Sequence, residues 1–164
     1  MSRDGWQLCR IRPSNTPERR LAAMAGLVTR FSGAGLLAGL LGKLEDGPAG
    51  LEKALTVPGG RGGAALLGGG RAGVIAVNVA LPFAYSLGRW QDCTGLRRKA
   101  MALYLGYPRL ESNNPERHMI RQLGPGKNVV NSACRQQGLL YIFKGFCSQG
   151  RCDACPVITA RRSR

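Results

Sequence analysis

Apolar residues recur at three- and four-residue steps along most of the chain, so the pattern is helical. The first element is predicted in SNTPERRLAAMAGLVTRF, where Asn15 or Thr16 serves as cap and Pro17 and Glu18 fill the first turn. Leu21, Met24, Val28 and Phe31 then share one face. The pattern weakens at SGAG, 32–35, and resumes with Leu36, Leu37, Leu40 and Leu41. A short helix is expected within 45–57 around Leu51.

The stretch 58–73 holds eight glycines and is read as a flexible loop; it lacks the Gly-Lys-Ser/Thr ending of a nucleotide loop. VIAVNVALPFAYSLG and LRRKAMALYLGY follow as two helices, with Pro82 kinking the first or sitting near its start. NNPERHMIRQLGPG repeats the entry device of the first helix, with Asn114 as cap and Gly124 and Pro125 as stop. A last long helix over 129–146 offers Val130, Ala133, Cys134, Leu140 and Tyr141 to the core. The fold expected is all-α, an irregular helical domain over 1–157 with a C-terminal cysteine-rich turn and a basic, disordered tail at 158–164.

Composition adds two constraints. Apolar residues make up 44% of the chain but aromatics only 6%, so the core leans on Leu, Ala, Val and Met. Lys and Arg number 24 against 9 acids, a net charge of +15. Arginine pairs bidentately with phosphate, which points to a nucleic acid partner; a coding bias toward Arg, Gly and Ala would raise the charge without one, and aromatic interleaving of the kind that stacks single strands is not read from the sequence. The candidate contacts are Arg10, Arg12, Arg19 and Arg20 around PSNTP, then Arg97 and Arg98, with Lys99 beside them. Arg161, Arg162 and Arg164 lie in the tail.

The opening MSRDGWQLCR has no apolar leader core, so the expected compartment is the cytoplasm. Residues 21–42 and 72–88 are apolar, but Arg30 and many glycines in one, and Asn78 and Pro82 in the other, argue for buried helices and against a membrane. One histidine and thinly spread acids leave no catalytic constellation to argue, and no small-molecule substrate is identified.

The sharpest chemical signal is CSQGRCDACP, which places Cys147, Cys152 and Cys155 in a Cys-x4-Cys-x2-Cys turn. In a reducing compartment such a trio fits zinc or an iron–sulfur cluster, a redox-active Cys152/Cys155 pair, or inert reduced thiols. A closed metal site needs a fourth ligand. Cys134 lies thirteen residues before Cys147 and joins only if the helix breaks near Gly138, because a continuous helix separates the two by about 20 Å. Cys93 and His118 are the remaining options, but His118 reads more readily as an ordinary surface or helix-end histidine, and Cys93, like Cys9, as a lone buried thiol.

RIRPSNTPERRLAAMAGLV, VNVALPFAYSLG, ALYLGYPRLESNNPERHMIRQL and QQGLLYIFKGFCSQGRCDACPV together resemble the C-terminal half of an uncharacterised bacterial family known only as a domain of unknown function, DUF 2851. The resemblance runs from about Trp6 to Val157. It implies a preceding half, rich in acidic and His residues, that resembles a metal-dependent nuclease core. The chain would then be a fragment, a split gene product or a shortened homologue, and the three terminal cysteines a shared feature. The function so implied is an accessory, metal-stabilised helical module that contacts nucleic acid. The alternative is an interaction domain that packs on the missing N-terminal half.

Overall fold

A computed structural model describes residues 16–60, 62–124 and 129–162. The fold is all-α: among these residues extended pairing is limited to isolated bridges, Val57 with Leu67 and Pro108 with Ser132. The chain divides into two compact units, Met1–Ala100 and Met101–Arg164.

In the first unit, α1 spans Pro17–Arg30 and is capped by Thr16, whose hydroxyl accepts the Arg19 N–H at 3.4 Å. Its buried face is not the one expected. Ala23 and Leu27 are buried, as is Phe31 just after the helix, whereas Leu21, Met24 and Val28 are all more than half exposed. The small residues decide this. A Cβ on Gly26 would stand 2.7 Å from Val57 Cγ1, so only glycine lets Val57 pack this close to α1.

Short α2, Leu36–Gly42, is followed by α3, Gly47–Leu55, which carries the wholly buried Leu51 as expected. Arg30, at the end of α1, reaches the C-terminus of α3. Its Nη1 donates to the carbonyls of Ala54 at 2.6 Å and Thr56 at 2.7 Å, groups that the last helical turn leaves unpaired.

The glycine-rich stretch is shorter than predicted. Val57 and Leu67 exchange both backbone hydrogen bonds, at 2.9 and 3.2 Å, and so close a loop between them. Helix α4, Gly69–Ile75, begins inside the segment read as loop. Burial of Ala72 and Gly73, with α4 packed on α3, offsets the helical cost of its glycines.

A π turn, Ala76–Ala80, joins α4 to α5, Leu81–Trp90, without interrupting the run. Leu81 N–H donates to the Ala76 carbonyl, five residues back, immediately before Pro82. The wider turn accommodates a proline that supplies no N–H of its own. This continuous helix, Gly69–Trp90, is long and apolar enough to cross a membrane by length and composition, with 33% of its most apolar window buried. Helix α6, Thr94–Gly106, follows.

In the second unit, α7 spans Asn114–Leu123. The cap is Asn113, one residue earlier than expected: its side chain accepts from Glu116 N at 2.9 Å, and the Glu116 carboxylate accepts from Asn113 N. Gly124, at φ +54°, ends the helix as predicted. Helix α8 covers Ala133–Gly145 and starts at the Ser132 cap rather than at Val129. Met119, Val130 and Leu139 form the core between α7 and α8, with Ile142 and Phe143 against it. Ala133 is buried as expected, but Tyr141 is 69% exposed and faces away from that core.

The last helix, α9, spans Pro156–Arg162, where a disordered tail from 158 was expected. The Cys155 carbonyl accepts from the amides of both Ile158 and Thr159 at 3.0 Å, and Pro156 presets the first turn.

Candidate functional site: the cysteine turn and its aromatic neighbours

Helix α8 delivers the chain into the turn at Phe146. The Phe146 carbonyl accepts from Gln149 at 3.2 Å and Arg151 at 3.0 Å, and Gly150 takes the left-handed conformation at φ +66° that reverses the chain. Ser148 Oγ and Gln149 Nε2 both donate to the Lys144 carbonyl, at 3.1 and 3.2 Å. Cys155 N donates to the Cys152 carbonyl at 3.1 Å. These bonds fix the backbone that carries all three cysteines.

The thiols sit in different surroundings. Cys147 is half-buried against the Met119 core, Cys155 is buried, and Cys152 is exposed. Burial pushes the Cys147 thiol up, and the neighbouring Cys155 and Cys152 push it further. Among the described residues all cysteines are free, and no three His, Cys, Asp or Glu side chains are gathered into a metal-holding group. The donor type suits zinc or an iron–sulfur cluster, but a closed site requires the turn to draw its thiols together.

The proposed fourth ligands fare differently. Helix α8 runs unbroken through Gly138, so the condition under which Cys134 joins the trio is not met. Cys134 instead faces Tyr104, whose phenol is pushed up by burial and then by that thiol. His118 packs edge-to-face on Phe143, with ring centroids 5.7 Å apart. Cys93 is exposed within the first unit. Cys9 lies outside the described residues.

The predicted arginine contacts are similarly dispersed. Arg10 and Arg12 lie outside the described residues, as do the side chains of Arg161, Arg162 and Arg164. Arg19 is committed to its own chain: Nη2 donates to the Ala64 carbonyl at 3.2 Å and the Ala65 carbonyl at 2.7 Å. Arg97 donates to Thr94 Oγ1 at 3.0 Å and faces Asp92 at 3.7 Å. Arg20 and Arg98 are exposed.

An aromatic and cationic cluster beside the cysteines escaped the sequence reading. Exposed Tyr141 meets Phe146 edge-to-face at 6.2 Å, and the Arg151 guanidinium lies 5.9 Å from the Phe146 ring centroid. Exposed Lys144 lies between the two aromatics in sequence. The legible signal is YIFKGF, which holds three of the chain's ten aromatic side chains within 141–146. Assigning Tyr141 to the core hid it.

No family model, no curated protein and no solved structure matches the chain.

Proposed function

We propose that the chain is a non-catalytic, basic helical module that contacts nucleic acid, using the aromatic and cationic cluster beside its cysteine turn as a contact surface. The observation that carries this reading is the grouping of exposed Tyr141 and Arg151 around half-buried Phe146. Exposed aromatic rings and guanidinium planes stack on unpaired bases, and nearby cations hold the phosphates.

Charge supports the same reading. Glu45, Asp46, Asp92 and Glu116 each pair with one Lys or Arg. One-to-one pairing leaves the excess unchanged: even if all 9 acids were paired, 24 − 9 = 15 cations would lack an acidic partner in the chain. A polyanion supplies what the chain does not. The family resemblance adds a setting, an accessory module beside a nuclease-like half. The cysteine turn would be stabilised by zinc or an iron–sulfur cluster, a role supported by the grouping of three thiols within 147–155.

The test is fluorescence-anisotropy titration with a single-stranded oligonucleotide across a salt series. Binding that weakens with salt, and that Tyr141→Ala weakens by a further tenfold or so at fixed salt, is expected. Absence of binding at low salt, or binding indifferent to both salt and Tyr141, overturns the proposal. In that event the alternative, a domain that packs on an N-terminal half, is tested by supplying that half in trans.

A further inference from the structure

The first unit contains two long stretches without an acidic residue, 19–44 and 54–91. Every large apolar side chain that this unit exposes, among the described residues, lies within them. On α1, Leu21, Met24 and Val28 recur at steps of three and four and form one exposed stripe. On the continuous helix Gly69–Trp90, Val79 at 59% exposure, Phe83 at 50% and Trp90 at 82% form another. The two stripes meet, because Met24, Leu36 and Val79 line a single groove.

The opposite face of the long helix is already occupied. Ala76, Val77, Leu81 and Ala84 are buried in the unit, so the expectation of a buried helix over 72–88 holds for one face only. Asn78, the polar residue that argues against lipid in the sequence, turns its amide back to the Val74 carbonyl at 2.9 Å.

From this combination we propose that the first unit rests its exposed apolar face on an anionic lipid bilayer, with the stripes at the boundary of the acyl chains and the cations among the headgroups. The long helix lies in the plane of the interface and does not cross it, since its other face packs on the protein. Charge complementarity names the partner. The chain carries a net charge of +15, and the apolar face comes from segments whose only charges are positive. An arginine that holds carbonyls, as Arg30 does, keeps its charge, so the attraction depends on no single free guanidinium. Trp90 beside exposed Arg89 ends the stripe with the ring and cation that collect at headgroup depth. A polynucleotide would leave the aliphatic stripes in water, and a second copy would set +15 against +15. The inference stands apart from the nucleic acid reading, which uses residues of the second unit.

The experiment is co-sedimentation of the whole chain with vesicles of phosphatidylcholine containing about 30% phosphatidylserine, against phosphatidylcholine alone. Binding at least about tenfold tighter to the anionic vesicles is expected. Trp6→Phe leaves Trp90 as the sole tryptophan, and its emission should shift to the blue on binding and be quenched by lipid brominated along the acyl chain. Phe83→Asp should weaken binding about tenfold. Trp90→Asp should weaken it as much, at a position too exposed to support the fold. Leu105→Asp makes the same apolar-to-acid change at an exposed position of the second unit and should leave binding within about twofold. Circular dichroism verifies that each variant keeps its helices. Equal losses in Trp90→Asp and Leu105→Asp would reveal general attraction of a basic protein to charge and overturn the site. Unshifted Trp90 emission in the vesicle-bound protein would overturn it as well. Absence of binding to the anionic vesicles would leave the face to a protein partner or a second copy, and the proposal would fall.

Discussion

The carboxylate of Glu116, wholly buried, receives the guanidinium of Arg109 at 2.8 Å. Gln136 completes the arrangement. Its amide donates to Glu116 at 3.0 Å and to the Leu110 carbonyl at 2.9 Å, while its oxygen accepts from Leu110 N at 2.7 Å. One acid thus ties the 109–113 segment, α7 and α8 together.

Burial pushes the Glu116 carboxyl up, but hydrogen bonds from Gln136, Ser112 and Arg109 outweigh it and hold it below the ordinary value. A depressed carboxyl contributes stability that is complete above the unfolded value, about 4.3, and is lost as pH falls through the folded value. Glu116→Gln should therefore cost ~1–3 kcal/mol at neutral pH, because Gln136 then faces an amide in place of an anion. Urea unfolding at pH 7 and pH 3 checks this, and the gap between variant and parent should narrow in acid.

Arg30→Ala strips the end of α3 of its donor and should lower stability by about 1 kcal/mol, read as a shift in the urea midpoint. Lysine in its place should restore part of this, because the contacts come from the single nitrogen Nη1 and an ammonium can also donate to several carbonyls.

For Gly26→Ala two effects compete. Alanine in a helix gains up to about 1 kcal/mol over glycine, but its Cβ would press on Val57 at 2.7 Å, and overpacking costs about 1–3 kcal/mol. Net destabilisation is the expected outcome of thermal melting. A stabilised variant would mean that Val57 moves aside freely.

Protein purified without oxygen should carry zinc, or a brown cluster with iron and sulfide, at near one equivalent per chain, measured by elemental analysis and absorption. Cys152→Ser should then lower both metal content and melting temperature, because binding and folding are coupled. Folded, metal-free protein with an unchanged Cys152→Ser melting point would identify the trio as inert thiols.

Much of the fold was legible in the sequence, because caps and stops act locally. Thr16, Leu51 and Gly124 behave as their neighbours in sequence dictate. The buried face of α1 was not legible. Periodicity selects the largest apolar side chains, but Gly26 and Ala23 allow the closest approach, so packing chose the face with Leu27 instead. The same preference for large residues placed Tyr141 in the core. At the candidate site, clustering of the thiols was readable from spacing alone, whereas their differing burial depends on the α7–α8 core, which spacing does not encode. Nor does a run of basic residues show which arginines serve backbone carbonyls, as Arg19 and Arg30 do.

Those carbonyl contacts give the two halves of the chain unlike chemical weaknesses. Neither a guanidinium nor an amide carbonyl titrates in the range where carboxylates do, so the arginine staples of the first unit persist in acid. The second unit depends on a buried carboxylate that protonation disarms. Strong acid, below the ordinary carboxylate range, should therefore loosen the helices around Glu116 while leaving α1 fastened to α3, which makes proton concentration a selective probe for taking this molecule apart one unit at a time.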